Sequence, residues 1–429
     1  MPAASTGASL ALPSDARTTA APAADLRHRT GEPGFRRANL ALFAAGVATF
    51  VLLYCTQGLL PVLSADLGLT PGQASWTASA ATLGLAAALL PASALSDRFG
   101  RTAVMTASVF GAALIGLALP LAPNLTTLVV LRVVQGAALA GLPATAMAYL
   151  AEELHPSALA GAMGLYVAGN SIGGMGGRLL SGWVAASWGW RWGIASTAVL
   201  ALACAVAFRL LVPAARQFRR TPVDARALAR TVGGHLGNPL LVRLYALGAA
   251  FMAVFGAVYN TAGYRLIAEP FNLPESLAAS IFVVYLVGTV TSATAGRLAG
   301  RLGRRGALYA AIGTTTAGLL LSLADNLVCA LLGLVLITGG FFAGHAVASS
   351  SVGRTATTGR AQASALYLIA YYVGNSLGGT LGADAYHSAA WSGTTAVGLA
   401  AMALAAGVTL YATRRAVVTR RAHGLSHPA

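Results

Sequence analysis

Apolar runs of about twenty residues recur along this chain of 429 residues, parted by short polar breaks. Each run can cross a hydrocarbon layer of about 30 Å as a helix. Twelve spans are predicted, at residues 39–63, 74–95, 102–122, 125–150, 160–187, 190–212, 240–264, 275–298, 305–323, 326–352, 361–387 and 391–413. A bilayer admits only helices or closed barrels, and nothing alternates with the period of barrel strands. The expected fold class is therefore an all-α membrane protein. A composition that is 56% hydrophobic and 9% charged agrees.

Charge sets the expected topology. The net charge is +16, and every basic residue is Arg. Such a charge would suit nucleic acid, but the arginines lie almost wholly between apolar runs, so no nucleic-acid partner is expected. With the N-terminus inside, Arg191 and Arg265 fall outside and Arg132 and Arg178 fall within spans. Nearly all the rest are then cytoplasmic, as are both termini. Residues 1–38 lack the apolar core of a signal peptide and read as a disordered tail. Residues 213–239 read as a cytoplasmic linker between six-helix halves at 39–212 and 240–414, with a short amphipathic piece on the inner leaflet. Residues 415–429 form the C-terminal tail. Cys55, Cys204 and Cys329 sit in separate spans, without metal spacing or a disulfide framework. No metal or cofactor is expected.

The halves repeat one another. SALSDRFGRT at 93–102 returns as GRLAGRLGRR at 296–305, so that Asp97, Arg98, Gly100 and Arg101 match Gly300, Arg301, Gly303 and Arg304. GNSIGG, with Gly169, Asn170, Gly173 and Gly174, returns as GNSLGG, with Gly374, Asn375, Gly378 and Gly379. Small residues in this pattern let membrane helices approach closely. Internal repeats of this kind mark many transporter folds. Asp97 stands at a helix C-terminus, where the dipole disfavours a carboxylate unless a partner holds it.

The first turn resembles the cytoplasmic loop signature of the major facilitator superfamily, G-x-x-x-D-R-x-G-R-(R/K). Ser93 replaces its first Gly and Thr102 its last basic residue. The second copy has Gly300 where the acid belongs, so a charge-pair latch is expected in the first half only. Arg132, Gln135 and Gly136 in span 4 resemble the R-x-x-Q-G signature of the superfamily's proton-coupled exporters. Residues 173–177 have that group's glycines without its Pro. Tyr259, Asn260, Tyr264, Arg265, Pro270 and Phe271 resemble a bacterial arabinose-efflux-like subgroup of predicted exporters. The resemblance implies two six-helix bundles with spans 1, 4, 7 and 10 around a central site, working by alternating access. Proton-coupled export of a drug, sugar or metabolite across a bacterial cytoplasmic membrane, by a monomer, is the favoured expectation. Proton-coupled uptake is the second.

Tyr54, Gln57, Arg132, Gln135, Tyr259, Asn260 and His345 are the expected substrate or proton pathway. A charge within a span is by default a functional candidate, and this is the favoured reading of Arg132 over one in which it satisfies helix-end carbonyls. No carboxylate lies mid-span, which leaves His345 as the candidate proton carrier, with simple packing as the competing reading. Arg178 is expected to snorkel outward. The latch set is Asp97, Arg98, Gly100, Arg101, Arg301, Gly303 and Arg304. A membrane enzyme or an ATP-driven pump is disfavoured, because the sequence shows no catalytic cluster, Walker motif or G-x-S-x-G. A transporter-like sensor stays open.

Overall fold

The computed structural model describes residues 27–216, 218 and 224–422; residues 1–26 and 423–429 of the expected tails, and Arg219 and Arg220, lie outside the described residues. The described chain is all helix apart from one bridge between His28 and Leu154. Span 1 is Pro33–Tyr54, continued after a break by a tight turn at Gln57–Leu59 and a helix at Leu60–Leu67. Span 2 is Pro71–Phe99 and span 3 Arg101–Ala118. Span 4 is Leu125–Leu139 plus Gly141–Glu153, span 5 Pro156–Trp188 and span 6 Trp190–Leu211. A linker helix, Ala225–Leu236, leads to span 7 at Pro239–Ile267. Spans 8 and 9 run through Glu275–Leu321 and part at Gly303, whose φ of 69° no β-carbon would tolerate easily. Span 10 is Leu327–Thr355, and spans 11 and 12 run through Arg360–Ala422 with a kink at Ala389 and Ala390.

Among the described residues nine helices are long and apolar enough to cross a membrane. Two of these contain the kinks just named, and span 5 adds a helix of 33 residues. Local chemistry starts the helices where the polar breaks stand. Thr70 accepts from the Gln73 amide while Gln73 accepts from Thr70, with Pro71 in the first turn, so three local preferences coincide. Asn124, Asn238 and Asn326 cap spans 4, 7 and 10.

The glycine repeat is a packing device used twice. Gly169, Gly173 and Gly177 lay span 5 on the backbone of Phe43, Val47 and Val51 in span 1. Gly374, Gly378 and Gly382 lay span 11 on Ala249, Ala253 and Ala257 in span 7. A β-carbon at Gly173 would fall 2.5 Å from the Val47 carbonyl oxygen, so only glycine permits this approach. Gly46 has no room beside Asn170, nor Gly256 beside Asn375.

The halves meet mainly toward the face that bears neither terminus, here called the far face. Tyr264 donates to the Leu60 carbonyl at 2.8 Å and pairs with Ser64 at 2.6 Å. Trp183 donates to Ser280 Oγ at 3.0 Å and to the Ser276 carbonyl at 3.2 Å. Asp384 of span 11 abuts Gly72 at the start of span 2. Deeper in, Ser79 and Thr82 of span 2 interlock with Ser376 and Thr380 of span 11.

Candidate functional site

The α-helical hydrogen bonding of span 1 is interrupted at Cys55 and Thr56, although both keep right-handed helical dihedrals. A break in a membrane helix frees carbonyl oxygens that lipid cannot satisfy. Arg132 supplies the donors. It is fully buried; Nη1 donates to the Leu52 carbonyl at 2.8 Å, Nη2 to the Leu53 carbonyl at 2.6 Å and Nε to the Thr77 carbonyl at 2.8 Å. Gln135 Oε1 accepts from Nη1 at 2.6 Å, and Gln135 Nε2 donates to the Ala112 carbonyl at 3.1 Å. Arg132 and Gln135 thus tie the break in span 1 to spans 2, 3 and 4.

Beyond the break the chain presents Gln57, which joins three helices. Arg178 Nε donates to Gln57 Oε1 at 2.6 Å, and Gln57 Nε2 donates to Asn260 Oδ1 at 2.6 Å across the two halves. Arg178 does not reach outward. It is 2% exposed, with Nη1 turned back on the Gly174 carbonyl at 2.6 Å. Its guanidinium carbon lies 3.9 Å from the Tyr54 ring centroid, 4.6 Å from Tyr285 and 5.3 Å from Phe282. Cation–π attraction is strongest where water is excluded, as here. The glycines at 174 and 379 leave room for this network, since Gly174 adjoins Arg178 and Gly379 adjoins Asn260.

The second half faces this cation with rings. Tyr259 is buried, bonded to Thr338 Oγ1 at 2.5 Å, and packed on Phe282 and Tyr285. His345 Nδ1 meets the Tyr367 hydroxyl at 3.0 Å, and its ring lies 4.8 Å from that of Tyr371. Tyr285, Phe342, His345 and Tyr371 sit deep in the bundle yet keep part of their surface accessible. We read that combination as the wall of a central chamber between the halves. Of the expected pathway residues, Tyr54, Gln57, Tyr259 and Asn260 gather around one network. His345 stands on another wall, and Arg132 and Gln135 serve the break in span 1.

The two turns differ as their sequences do. Asp97 Oδ1 accepts from Arg101 Nη1 at 2.5 Å. Arg101 also donates to Ser96 Oγ at 2.9 Å and, through Nη2, to Glu152 at 2.9 Å, binding the ends of spans 2, 3 and 4. Arg98 is exposed beside Phe99, and Gly100 turns the chain with φ 102°. A gap of about 260 Å³ separates Asp97 from Ala361 and Gln362 at the start of span 11. In the second turn Arg301 is exposed and Arg304 half-buried. Arg305 and Arg354 are the charged groups near Arg304 among the described residues.

The sequence profile of the Major Facilitator Superfamily matches residues 42–266, a little over half of the chain. The MFS-type transporter YybF of Bacillus subtilis (strain 168) is 39% identical over 365 residues, covering 85% of this chain and 90% of its own. The chain belongs to the major facilitator superfamily. The inner membrane transport protein YnfM of Escherichia coli (strain K12) is 38% identical over 368 residues, covering 86% and 88%. A bacterial homologue of the lysosomal transporter Spinster, solved inward-facing and unoccupied, superposes with a TM-score of 0.73 at 18% identity, over 89% of this chain and 98% of that one. The protein is therefore a multi-pass membrane transporter of a small molecule, and the chamber is where its halves meet. Sequence reasoning missed the inward turn of Arg178 and the rings of Phe282, Tyr285 and Tyr371. The only available signal was a lone arginine beside Gly174 and Gly177, small residues that mark a helix contact rather than a lipid face.

Proposed function

We propose that this transporter exports a small molecule in exchange for protons, by alternating access, across a bacterial cytoplasmic membrane with both termini inside. The observation that carries alternating access is the one-sided closure. Bonds join spans 1 to 7, 5 to 8 and 2 to 11 toward the far face, while Asp97 stands off from span 11 at the other. With the arginines cytoplasmic, this arrangement is the inward-facing state. Its counterpart opens the far-face bonds and brings Asp97 against the start of span 11, whose dipole favours a carboxylate. Export rests on the resemblance of Arg132, Gln135 and Gly136 to the exporter signature. Proton coupling rests on His345, a titratable side chain on the chamber wall.

The test is proton movement in proteoliposomes under imposed gradients of a panel of metabolites and drugs. Antiport predicts protons moving against the substrate. Movement of both in one direction makes the protein an uptake symporter. Failure to exchange any solute, with the protein correctly inserted, overturns transport. Loss of proton flux with retained substrate exchange in His345→Gln supports His345 as carrier; unchanged flux removes it.

A further inference from the structure

We propose that Arg178 is the recognition point for an organic monoanion with a flat apolar body, such as an aromatic carboxylate. The proposal rests on the transporter reading and names the substrate class of its chamber. Arg178 and Arg132 are both buried without a carboxylate partner, and their difference is informative. Arg132 spends its donors on three carbonyls and a glutamine, so its charge is spread over fixed dipoles. Arg178 makes two hydrogen bonds, from Nε and Nη1. Among the described residues its Nη2 has no acceptor. A guanidinium held in a membrane interior with donors to spare is costly to keep unless something uses it.

The surroundings select the user. The rings of Tyr54 and Tyr285 cover the guanidinium, which leaves its edge for an acceptor. The buried hydroxyl of Tyr285, whose ring lies 4.6 Å from the Arg178 guanidinium carbon, has no hydrogen-bond partner among the described residues and is a second spare donor. A carboxylate accepting from Nη2 would form a charge-assisted bond, the strong kind in a dry site. One cation balances one negative charge; a dianion would leave its second charge unpaired in low dielectric. A cationic solute would meet repulsion. Phe342, His345 and Tyr371, each partly accessible, add aromatic surface against which a planar body packs. Gln57 couples the site to the far-face contact, because the same side chain that accepts from Arg178 donates to Asn260. Drawing Arg178 toward an anion therefore pulls on a bond between the halves.

The test compares three probes that share one ring system on the purified full-length protein: 2-naphthoate, 2-naphthylmethanol and 2-naphthylmethylammonium. Binding is read by equilibrium dialysis and by the shift in thermal unfolding. The expected result is binding of naphthoate at millimolar concentration or below, at least tenfold tighter than the alcohol, with no detectable ammonium binding. Equal binding of acid and alcohol, tighter binding of the ammonium, or no binding of any probe overturns the proposal. In Arg178→Gln the preference for acid over alcohol should vanish; if it persists in folded protein, Arg178 is not the recognition point. Should that variant fail to fold, Tyr285→Phe keeps the ring and removes the hydroxyl. It should weaken naphthoate several-fold while leaving the alcohol unchanged, and an unchanged acid preference overturns the site. Exchange of some other solute without naphthoate binding would keep transport and reject the anion. Naphthoate binding without exchange of any solute would do the reverse.

Discussion

The halves share a scaffold and differ in what they place on it. Span 5 rides on span 1, and span 11 on span 7, through glycines four residues apart in each case. Inside that shared frame the first half carries two buried guanidiniums without a carboxylate partner, Arg132 and Arg178, whereas the second, whose buried Arg265 lies 3.9 Å from Asp325, presents Phe282, Tyr285, Phe341 and Tyr371. The turns diverge likewise. Arg101 is held by Asp97 and Glu152, while the charged groups acting on Arg304 among the described residues are Arg305 and Arg354. Backbone packing tolerates little variation because every contact is steric. Polar content is free to diverge once the frame stands, and only the divergent part can distinguish one solute from another.

The comparison can be broken most severely at the shared glycines. Gly173→Leu and Gly378→Leu should each cost about 3 kcal/mol or more, through backbone overlap with Val47 and Ala253. Thermal unfolding in detergent should rank the two alike. Tolerance in one half alone would show that the ladders are not equivalent.

Next comes Arg132. Arg132→Met leaves the carbonyls of Leu52, Leu53 and Thr77 without their donor, at about 1–3 kcal/mol for each buried orphan. Thr338→Val, which removes one hydroxyl partner from Tyr259, should cost about 1 kcal/mol. Equal unfolding midpoints for these two variants would mean that the span 1 break does not depend on the guanidinium.

The turns offer smaller effects. Asp97 is 40% exposed, so Asp97→Asn should change stability by less than about 1 kcal/mol. Turnover should nonetheless fall roughly tenfold, equivalent to about 1.4 kcal/mol on the switching barrier. Wild-type turnover in inserted protein would remove Asp97 from the latch. Gly300→Asp restores the missing acid at a position with open space around it, and should stabilise the second turn by about 0.5 kcal/mol or less. A destabilisation there would show that the arginines of that turn gain nothing from a carboxylate at that position.

The frame was legible in the sequence because its causes are local. Apolar length and small-residue spacing are read within a few turns of one helix, and the predicted spans match the helices to within a few residues at most ends. The interior of span 1 was not legible. Neither Cys55 nor Thr56 is a helix breaker, and the reason for the break lies in Arg132, more than seventy residues away. Arg178 failed for a related reason. Its charge is plain in the sequence, but its direction is set by Tyr54, Gln57 and Tyr285, each about a hundred residues distant. Aromatic side chains in a span look like ordinary apolar filling until the fold shows which of them share a wall.

The hydroxyl cluster between spans 2 and 11 has a mechanical consequence. Ser79, Thr82, Ser376 and Thr380 bond through groups that each give and accept, at 3.0 Å between Ser79 and Thr380 and 2.7 Å between Thr82 and Ser376. A hydroxyl proton turns about its C–O bond, so donor and acceptor trade places without any heavy atom moving far. Such a contact behaves as a greased bearing rather than a weld: the two rods can tilt upon it while the number of bonds stays the same. Little resistance then arises at the bearing itself, and the choice between one tilt and the other passes to the ends of the rods, where Gly72 meets Asp384 and Asp97 faces its gap.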